Sequence, residues 1–294
     1  MTESALDLHP GDLIEHAKFG LGKVLEVQLR SVLVHFRDDD QDFRKLSIEK
    51  SPIQRAAPQA DPRLESLPPF QDGKFAGRAG RVGLDAAIAE FQRSLPQGFA
   101  DPAYAAQERD SKWAAHEAYE RTLGNGAAEG LLAEGAVAEL AKKVIACVGP
   151  TRLLSKFEAI ALRDGLRNEA PATAFFHALL AFVQAPPDEP GFTRLADALE
   201  NLPSETGKAR VATWPVLTIL PFLARPDRFM FLKPGPTVAG AHRLRFDLAY
   251  DSSLRWLTYH RLMTLSEFLL EKLRPIGARD YIDVQSFLWV IEKY

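Results

Sequence analysis

Residues 11–48 alternate between hydrophobic and polar side chains, which is the pattern of half-buried β-strands. Ile14 and His16 share one face of the first predicted strand, and the runs 24–29 and 32–36 alternate in the same way. Several short strands so close together favour a closed or nearly closed barrel, because closure protects the strand edges. The side chains predicted to fill the interior are Ile14, Val24, Val34 and Phe36.

From Leu84 onward the hydrophobic period becomes helical, since apolar residues recur at intervals of three and four positions. Asp101 followed by Pro102 is a typical capped helix start. The predicted helices span 84–95, 101–123, 131–147, 152–166, 171–183, 192–202, 209–223, 253–273 and a last segment from Asp280 or Asp283 to 294. Residues 229–232 and 243–250 are predicted as strands or extended arms on either side of a Pro-Gly loop. Phe287 and Trp289 are expected in the helical core.

The N-terminal segment carries a resemblance to a known family. The residues that support it are Gly11-Asp12, His16, Lys18-Phe19-Gly20, Gly22, Val24, Val34, Phe36 and Lys45-Leu46. In these positions the segment resembles the Tudor-like, SH3-type barrel at the C-terminus of UvrD-type DNA helicases. It is more distantly similar to the RNA-polymerase-interacting domain of CarD-type regulators. The resemblance implies a small barrel that contacts RNA polymerase or nucleic acid, although Ala17 stands where the family has a proline.

Composition changes sharply after this segment. Prolines and then glycines accumulate over residues 57–83, which is typical of a linker. The sequence therefore predicts an α+β protein with an SH3-like or Tudor-like barrel at 8–56, a Pro/Gly-rich linker at 57–83 and an α-helical domain at 84–294. Segments 108–117, 213–223, 228–234 and 280–294 resemble a set of bacterial proteins to which no activity is assigned, so this second resemblance implies no chemistry.

Charge favours a protein partner for the barrel over nucleic acid. Residues 1–56 contain eight Lys or Arg against ten Asp or Glu, a balance of −2. A surface that binds phosphates requires an excess of positive charge. The expected contact surface is the turn around Lys18, Phe19 and Lys23 together with an edge strand containing Val32 and Val34, because an edge accepts a partner strand.

Composition excludes several classes of function. The whole chain of 294 residues has a net charge of −3, which gives no overall attraction to nucleic acid or anionic membranes. Cys147 is the single cysteine and the seven histidines are dispersed, so neither disulfides nor a metal site are expected. Neither a signal peptide nor a membrane-spanning apolar run is found, which favours the cytoplasm. The segment 202–209 lacks the first glycine and the hydroxyl of a P-loop, so no nucleotide cofactor is expected.

Two polar groups remain open to a functional interpretation. Arg109, Trp113 and His116 share one helical face, and Asp280, Asp283 and Gln285 precede an apolar run. The favoured interpretation is structural, with Asp283 capping the last helix and Arg109 paired to a carboxylate. The alternative is a polar cleft between helices. His177, in an apolar helix, is expected to be a hydrogen-bonded core residue.

A second open alternative is nucleic-acid binding by the segment 225–247. Phenylalanines and a histidine are interleaved there with cations, which suits backbone and base contacts if the rings are exposed. The basic residues are Arg225, Arg228, Lys233, Arg243 and Arg245. The competing interpretation places the rings in the core.

The sequence thus favours a non-enzymatic adaptor of the transcription or DNA-repair machinery, whose barrel contacts a protein such as RNA polymerase. The alternative is a DNA-binding protein or an enzyme acting on nucleic acid in a defence or repair setting. An enzyme would need converging carboxylates in a cleft. The pattern gives no catalytic residues, and it leaves the oligomeric state open.

Overall fold

The computed structural model describes residues 7–39, 41–76, 83–204 and 210–292. The chain divides into two compact units. Unit one comprises Met1–Glu90 and Ala241–Asp247, and unit two comprises Phe91–Gly240 and Leu248–Tyr294. The protein is α+β, with a strand-rich N-terminal segment and a larger helical region.

Unit one is built on a curled, five-stranded antiparallel sheet that forms a half-barrel. Its strands are β1 (Leu13–His16), β2 (Gly20–Gln28), β3 (Ser31–Phe36), β4 (Arg44–Ser47) and β5 (Ile53–Arg55). They are arranged in the order β4-β3-β2-β1-β5, so β4 and β5 are the edges. A bulge between Val24 and Glu26 interrupts the pairing of β2 with β3, and bulges increase local bending and twist.

The interior of the sheet is the one that alternation predicts. Ile14, Val24, Val34 and Phe36 are each at most 1% exposed. Leu8, Val32 and Leu46 complete the buried cluster, and Phe19 packs against it from the rim. The positions that alternation assigns to the interior are thus buried, although Leu33 and His35, on the other face of β3, are buried as well.

The segment predicted as a linker contains ordered elements within residues 57–76, and its remaining part at 77–82 lies outside the described residues. Asp61 caps a short helix, α1 (Pro62–Glu65), whose Leu64 is 1% exposed. A hairpin of β6 (Phe70–Gln71) and β7 (Lys74–Phe75) follows. Its turn residues Asp72 and Gly73 both have positive φ, which is the requirement of a type I′ hairpin. The Pro/Gly-rich composition predicted a linker rather than these packed elements. Proline and glycine are also usual at helix starts and in tight turns, and both occur in those roles here.

Thirteen helices, including α1, are numbered along the described chain. The others are α2 (Leu84–Ser94), α3 (Pro102–Tyr104), α4 (Asp110–Leu123), α5 (Ala127–Ala133), α6 (Val137–Val148), α7 (Lys156–Gly165), α8 (Glu169–Gln184), α9 (Glu189–Glu200), α10 (Trp214–Ala224), α11 (Pro234–Arg243), α12 (Trp256–Leu273) and α13 (Tyr281–Glu292). Short 3₁₀ turns occupy Gly98–Ala100, Gly149–Thr151 and Arg274–Ile276.

The core of unit two surrounds α10, whose residues are all buried. Phe229–Leu232 has no regular secondary structure and is also fully buried. The Thr218 hydroxyl accepts the amide of Leu232 at 3.0 Å. This chain segment therefore lies in the core, and the predicted strand is not formed.

Several predicted helix details are wrong. The Pro-Gly loop of 233–240 is the helix α11, because Pro234 stands at its first position, where proline's fixed φ is favourable. Helix α7 starts at Lys156 rather than at the predicted 152, because Ser155 caps it through a capping box with Glu158. His177 is exposed. Phe287 is buried as predicted, but Trp289 is only partly buried. The last predicted helical residues, 293 and 294, and the start of the helix predicted at 209 lie outside the described residues.

Candidate functional site

A π-helical turn at Ala105–Arg109 joins α3 to α4. Asp101 caps the start of this helical run by accepting the amide of Ala103 at 3.0 Å. The extra residue in a π-turn rotates the side chains that follow, and such turns occur often at functional sites. Here the turn ends at Arg109, which is 7% exposed.

Arg109 is the centre of a buried ionic cluster. Its guanidinium donates to Asp280 at 2.6 and 2.9 Å and to Asp283 at 2.8 Å. Asp283 also accepts from Tyr104, and Arg279 donates to it at 2.9 Å. Burial opposes the charge on Arg109, but Asp280 and Asp283 outweigh it and raise the pKa of the guanidinium. Every carboxylate here has a cationic partner, so the cluster stabilises the fold.

The cluster fits the structural interpretation of this polar group, while Trp113, His116 and Asp280 also line a cavity of about 520 Å³ between helices, as the alternative expects. Arg109 is paired to carboxylates, as the structural interpretation predicts. Asp280 rather than Asp283 lies at the start of α13, where its Oδ1 accepts the amide of Ile282 at 2.9 Å. Trp113 and His116 contact each other, with ring centroids 4.8 Å apart, and His116 Nδ1 donates to the Leu223 carbonyl at 2.7 Å.

Lys112 extends this polar region by one helical turn. Its ammonium donates to Ser286 Oγ at 2.9 Å and to Glu108 at 3.0 Å. Burial lowers the pKa of the Lys112 amine, while the charge of Glu108 opposes this shift. The sequence pattern alone does not single out Tyr104, Lys112 and Ser286. The only local signal was Lys112 among apolar positions of its helix, four residues after Glu108.

A cavity of about 440 Å³ adjoins Lys112. The π-turn, the loop Pro150–Leu153 and helix α13 contribute its walls. Its polar lining residues include Glu108, Lys112, Arg152, Lys233 and Gln285. Polar and charged residues form most of its lining.

The predicted partner surface of the sheet is present only in part. Lys18 is exposed, and Phe19 is half-buried and stacks on His16 with centroids 4.7 Å apart. The Arg44 guanidinium lies 4.2 Å from the centre of the Phe19 ring. Lys23 donates to the Leu64 carbonyl at 3.0 Å. Lys18 and Phe19 therefore remain at the surface, whereas Lys23 holds α1.

The edge-strand prediction is wrong. Strand β3, which contains Val32 and Val34, pairs with β2 on one side and β4 on the other. Both valines are fully buried. They form the core and cannot receive a partner strand.

Two apolar side chains, Val27 and Leu29, are exposed near the tip of the β2–β3 hairpin, and the alternation did not single them out as a surface. Leu25, Val27 and Leu29 lie two residues apart along this segment, and Leu29 is 96% exposed at the tip. Val27 is 37% exposed and Leu25 is intermediate. The signal was an apolar residue within the turn that follows Gln28, where polar residues are usual.

The basic segment 225–247 lacks the exposed rings that stacking on bases requires. Phe229, Phe231 and Phe246 are each at most 4% exposed. In unit two, Arg225 pairs with Asp227 at 2.9 Å and Lys233 with Glu158 at 3.3 Å. In unit one, Arg243 pairs with Glu90 at 2.8 Å and Arg245 with Asp42 at 2.6 Å. Arg228 belongs to unit two, so the five cations do not share one compact unit.

No family model, curated protein or solved structure matches the chain. Among the described residues, no group of His, Cys, Asp and Glu side chains is placed to hold a metal ion. None of the helices described has both the length and the apolar character needed to cross a bilayer.

Proposed function

We propose that the protein is a non-enzymatic adaptor whose N-terminal half-barrel, of the SH3-like or Tudor-like class, binds a protein partner in the cytoplasm. The exposed hairpin residues Val27 and Leu29 carry this proposal. Apolar side chains on a hairpin tip offer a protein partner area to bury, at about 25 cal/mol per Å². RNA polymerase is the proposed partner, on the sequence resemblance described above.

The charge of this segment supports a protein partner over nucleic acid. The balance of residues 1–56 is −2, and several of its cations are engaged internally. Arg44 donates to Asp39 at 3.0 Å, and Arg55 pairs with Asp12 at 3.1 Å. Few cations are thus left to neutralise phosphates, whose contacts dominate affinity for DNA.

The test is a binding titration of the full chain against purified RNA polymerase and against labelled duplex DNA at several salt concentrations. Leu29→Ser should weaken polymerase binding about tenfold or more, as loss of a buried apolar contact does. Gln54→Ser, an exposed substitution on the edge strand β5, is the matched control and should leave binding unchanged.

Two results would contradict the proposal. Absence of polymerase binding would remove the named partner. Tight duplex binding that falls steeply with salt would instead favour the nucleic-acid alternative.

A further inference from the structure

A groove of about 520 Å³ lies in unit two, between helix α6, the end of α7 and the first residue of α8. Its apolar lining is aliphatic and consists of Ala136, Val137, Ala138, Ala141, Ile145 and Leu166. Among the described residues, no aromatic side chain lines it. Sites for small molecules are typically concave, mostly apolar and about 300–1,000 Å³ in volume. The groove has all three properties.

Helix α6 gives the groove an apolar stripe that is distinct from its core contacts. The core side of the helix is at most 3% exposed and consists of Leu140, Val144, Cys147 and Val148. Ala138, Ala141 and Ile145 follow at intervals of three and four positions, so they share a neighbouring face. Ala138 is exposed, and the other two are only partly buried. This stripe leaves apolar surface in water, which the apolar body of a ligand would cover.

The charges at the rim favour an anion. Lys142, Arg163 and Arg167 line the groove, against Glu139 and Glu169. Both arginines are therefore close to the apolar stripe, together with one lysine.

The ion pairs of these residues do not remove the excess of positive charge. Arg163 and Arg167 both pair with Asp164, at 2.9 and 3.4 Å, and one carboxylate neutralises only one guanidinium. Glu139 pairs with Lys143 at 3.6 Å. Among the described residues, Lys142 and Glu169 are exposed and have no ion pair. Four cations thus stand against three carboxylates, a balance of +1.

Arg167 is the cation that a ligand can engage most readily. Its side chain is 67% exposed, and its ion pair with Asp164 is the longer of the two. Exposed ion pairs contribute little to stability, so a ligand can replace this contact at small cost. Arginine also binds carboxylates through two parallel hydrogen bonds, which are among the stronger ones in proteins.

We propose that this groove binds a small aliphatic carboxylate. The aliphatic chain covers the stripe of Ala138, Ala141 and Ile145, and the carboxylate lies at the rim, where Arg167 and Lys142 supply positive charge. A single negative charge matches the balance of +1, and a chain without rings matches the aliphatic lining. The site lies in unit two, so it is separate from the proposed protein contact on the half-barrel and does not depend on it.

The first experiment separates the contribution of the chain from that of the charge. Calorimetric titration of the full protein compares octanoate, 1-octanol and acetate. Octanoate should bind, whereas octanol lacks the charge and acetate lacks the chain. Each of these two should therefore bind about tenfold or more weakly than octanoate.

The second experiment locates the chain. Ala141→Phe fills the groove and should weaken octanoate binding about tenfold or more. Ala114→Phe, at an exposed position on α4, is the matched control and should leave binding unchanged. Thermal melts check that both variants fold. In the parent protein, NMR should also show that octanoate shifts the methyl signals of Ala138 and Ile145, a result that needs no variant.

The third experiment locates the carboxylate. The double variant Lys142→Gln/Arg167→Gln should weaken octanoate binding about tenfold and leave octanol binding unchanged. Arg194→Gln removes an exposed positive charge from α9 and is the control.

Three outcomes would overturn the proposal. The first is no octanoate binding at about 1 mM. The second is octanol binding as tight as that of octanoate, which would mean that the rim cations do not contribute. The third is unchanged octanoate affinity in a folded Ala141→Phe protein together with unshifted methyl signals, which would place the binding elsewhere.

Discussion

Arg109 and Asp280 lie 171 positions apart in the chain and form a buried, two-pronged ion pair with N–O distances of 2.6 and 2.9 Å. The pair joins the π-turn to the start of α13. Removing one partner of a buried pair leaves the other charge uncompensated, which typically costs about 3–5 kcal/mol. Arg109→Met should therefore lower the free energy of unfolding by about that amount, measured by chemical denaturation.

An exposed pair in the same unit provides the control. Arg225 and Asp227 are 2.9 Å apart, and both are substantially exposed. Arg225→Met should cost only about 0–1 kcal/mol, because solvent screens the pair. Equal losses in the two variants would mean that the Arg109 cluster contributes no more than a surface ion pair.

Helix α13 gives a second prediction: alanine substitution of its two aromatic residues Phe287 and Trp289 should lower the free energy of unfolding by different amounts. Phe287 is fully buried and packs on Phe91 with ring centroids 5.4 Å apart. Phe287→Ala should cost about 3–5 kcal/mol in the free energy of unfolding. Trp289 is partly exposed at the cavity wall. Trp289→Ala should therefore lower the free energy of unfolding by less than Phe287→Ala does. If the order of these two losses is reversed in denaturant titrations, the packing of α13 described above is wrong.

The difference in burial between Phe287 and Trp289 shows which structural features a sequence pattern can predict. The sequence pattern predicts that both Phe287 and Trp289 lie in the helical core, and this is confirmed for Phe287. It cannot show which apolar position meets a cavity, because a cavity depends on how distant segments pack. Trp289 adjoins the loop Pro150–Leu153, more than a hundred positions earlier in the chain.

The same argument applies to the strands. Alternation predicts the buried face of the half-barrel, because the strand period is local. Whether a strand lies at an edge depends on the order of pairing, and this is not a local property. Strand β3 was expected at an edge, but β4 pairs with it. The contacts of Arg109 are likewise set by the tertiary fold, so the sequence indicated a carboxylate partner without choosing Asp280.

Glycine-to-alanine substitutions give a third prediction: the change in the free energy of unfolding should have opposite signs at Gly22 and Gly130. Gly22 lies opposite Phe36 in the sheet, and an added Cβ would be 2.6 Å from the Phe36 ring and 2.7 Å from Val34. Overpacking of a core typically costs about 1–3 kcal/mol, so Gly22→Ala should lower the free energy of unfolding by that amount.

Gly130 is the matched position in a helix. It lies within α5, and an added Cβ would have no neighbour within 4 Å. Gly130→Ala should stabilise the protein by about 0.4–1 kcal/mol, since alanine restricts the unfolded chain. Thermal melts of both variants provide the measurement. A stable Gly22→Ala protein would show that Phe36 can move away from the added methyl group.

The last prediction concerns pH and His35. This side chain is 6% exposed, its Nδ1 donates to the Asp42 carbonyl at 2.8 Å, and its ring meets Phe75 edge-on at 5.7 Å. Burial lowers the pKa of His35 below its usual 6.5, and the charges of Arg245 and Arg63 act in the same direction. The hydrogen bond to Asp42 opposes the shift but does not cancel it.

The sign of the effect on stability follows from proton binding. Between the lowered folded pKa and 6.5, the unfolded chain holds a proton on His35 that the folded chain does not. The free energy of unfolding therefore falls as pH drops below 6.5, with a slope of at most about 1.4 kcal/mol per pH unit. Well above 6.5 both states are neutral at this residue, and its contribution is constant. Asp38 and Asp39, whose carboxyl pKa values are lowered from 3.8, contribute at lower pH.

His35→Gln isolates the pH-dependent contribution of His35 to stability, because glutamine can still donate to the Asp42 carbonyl but does not titrate. The difference in unfolding free energy between the parent and this variant should be constant above pH 6.5 and should shift against the parent below it. NMR titration of the His35 ring in the parent should give a pKa below 6.5. A ring that titrates at or above 6.5, or a difference that does not change with pH, would show that water or a nearby carboxylate stabilises the charged imidazole and that His35 is not buried as described.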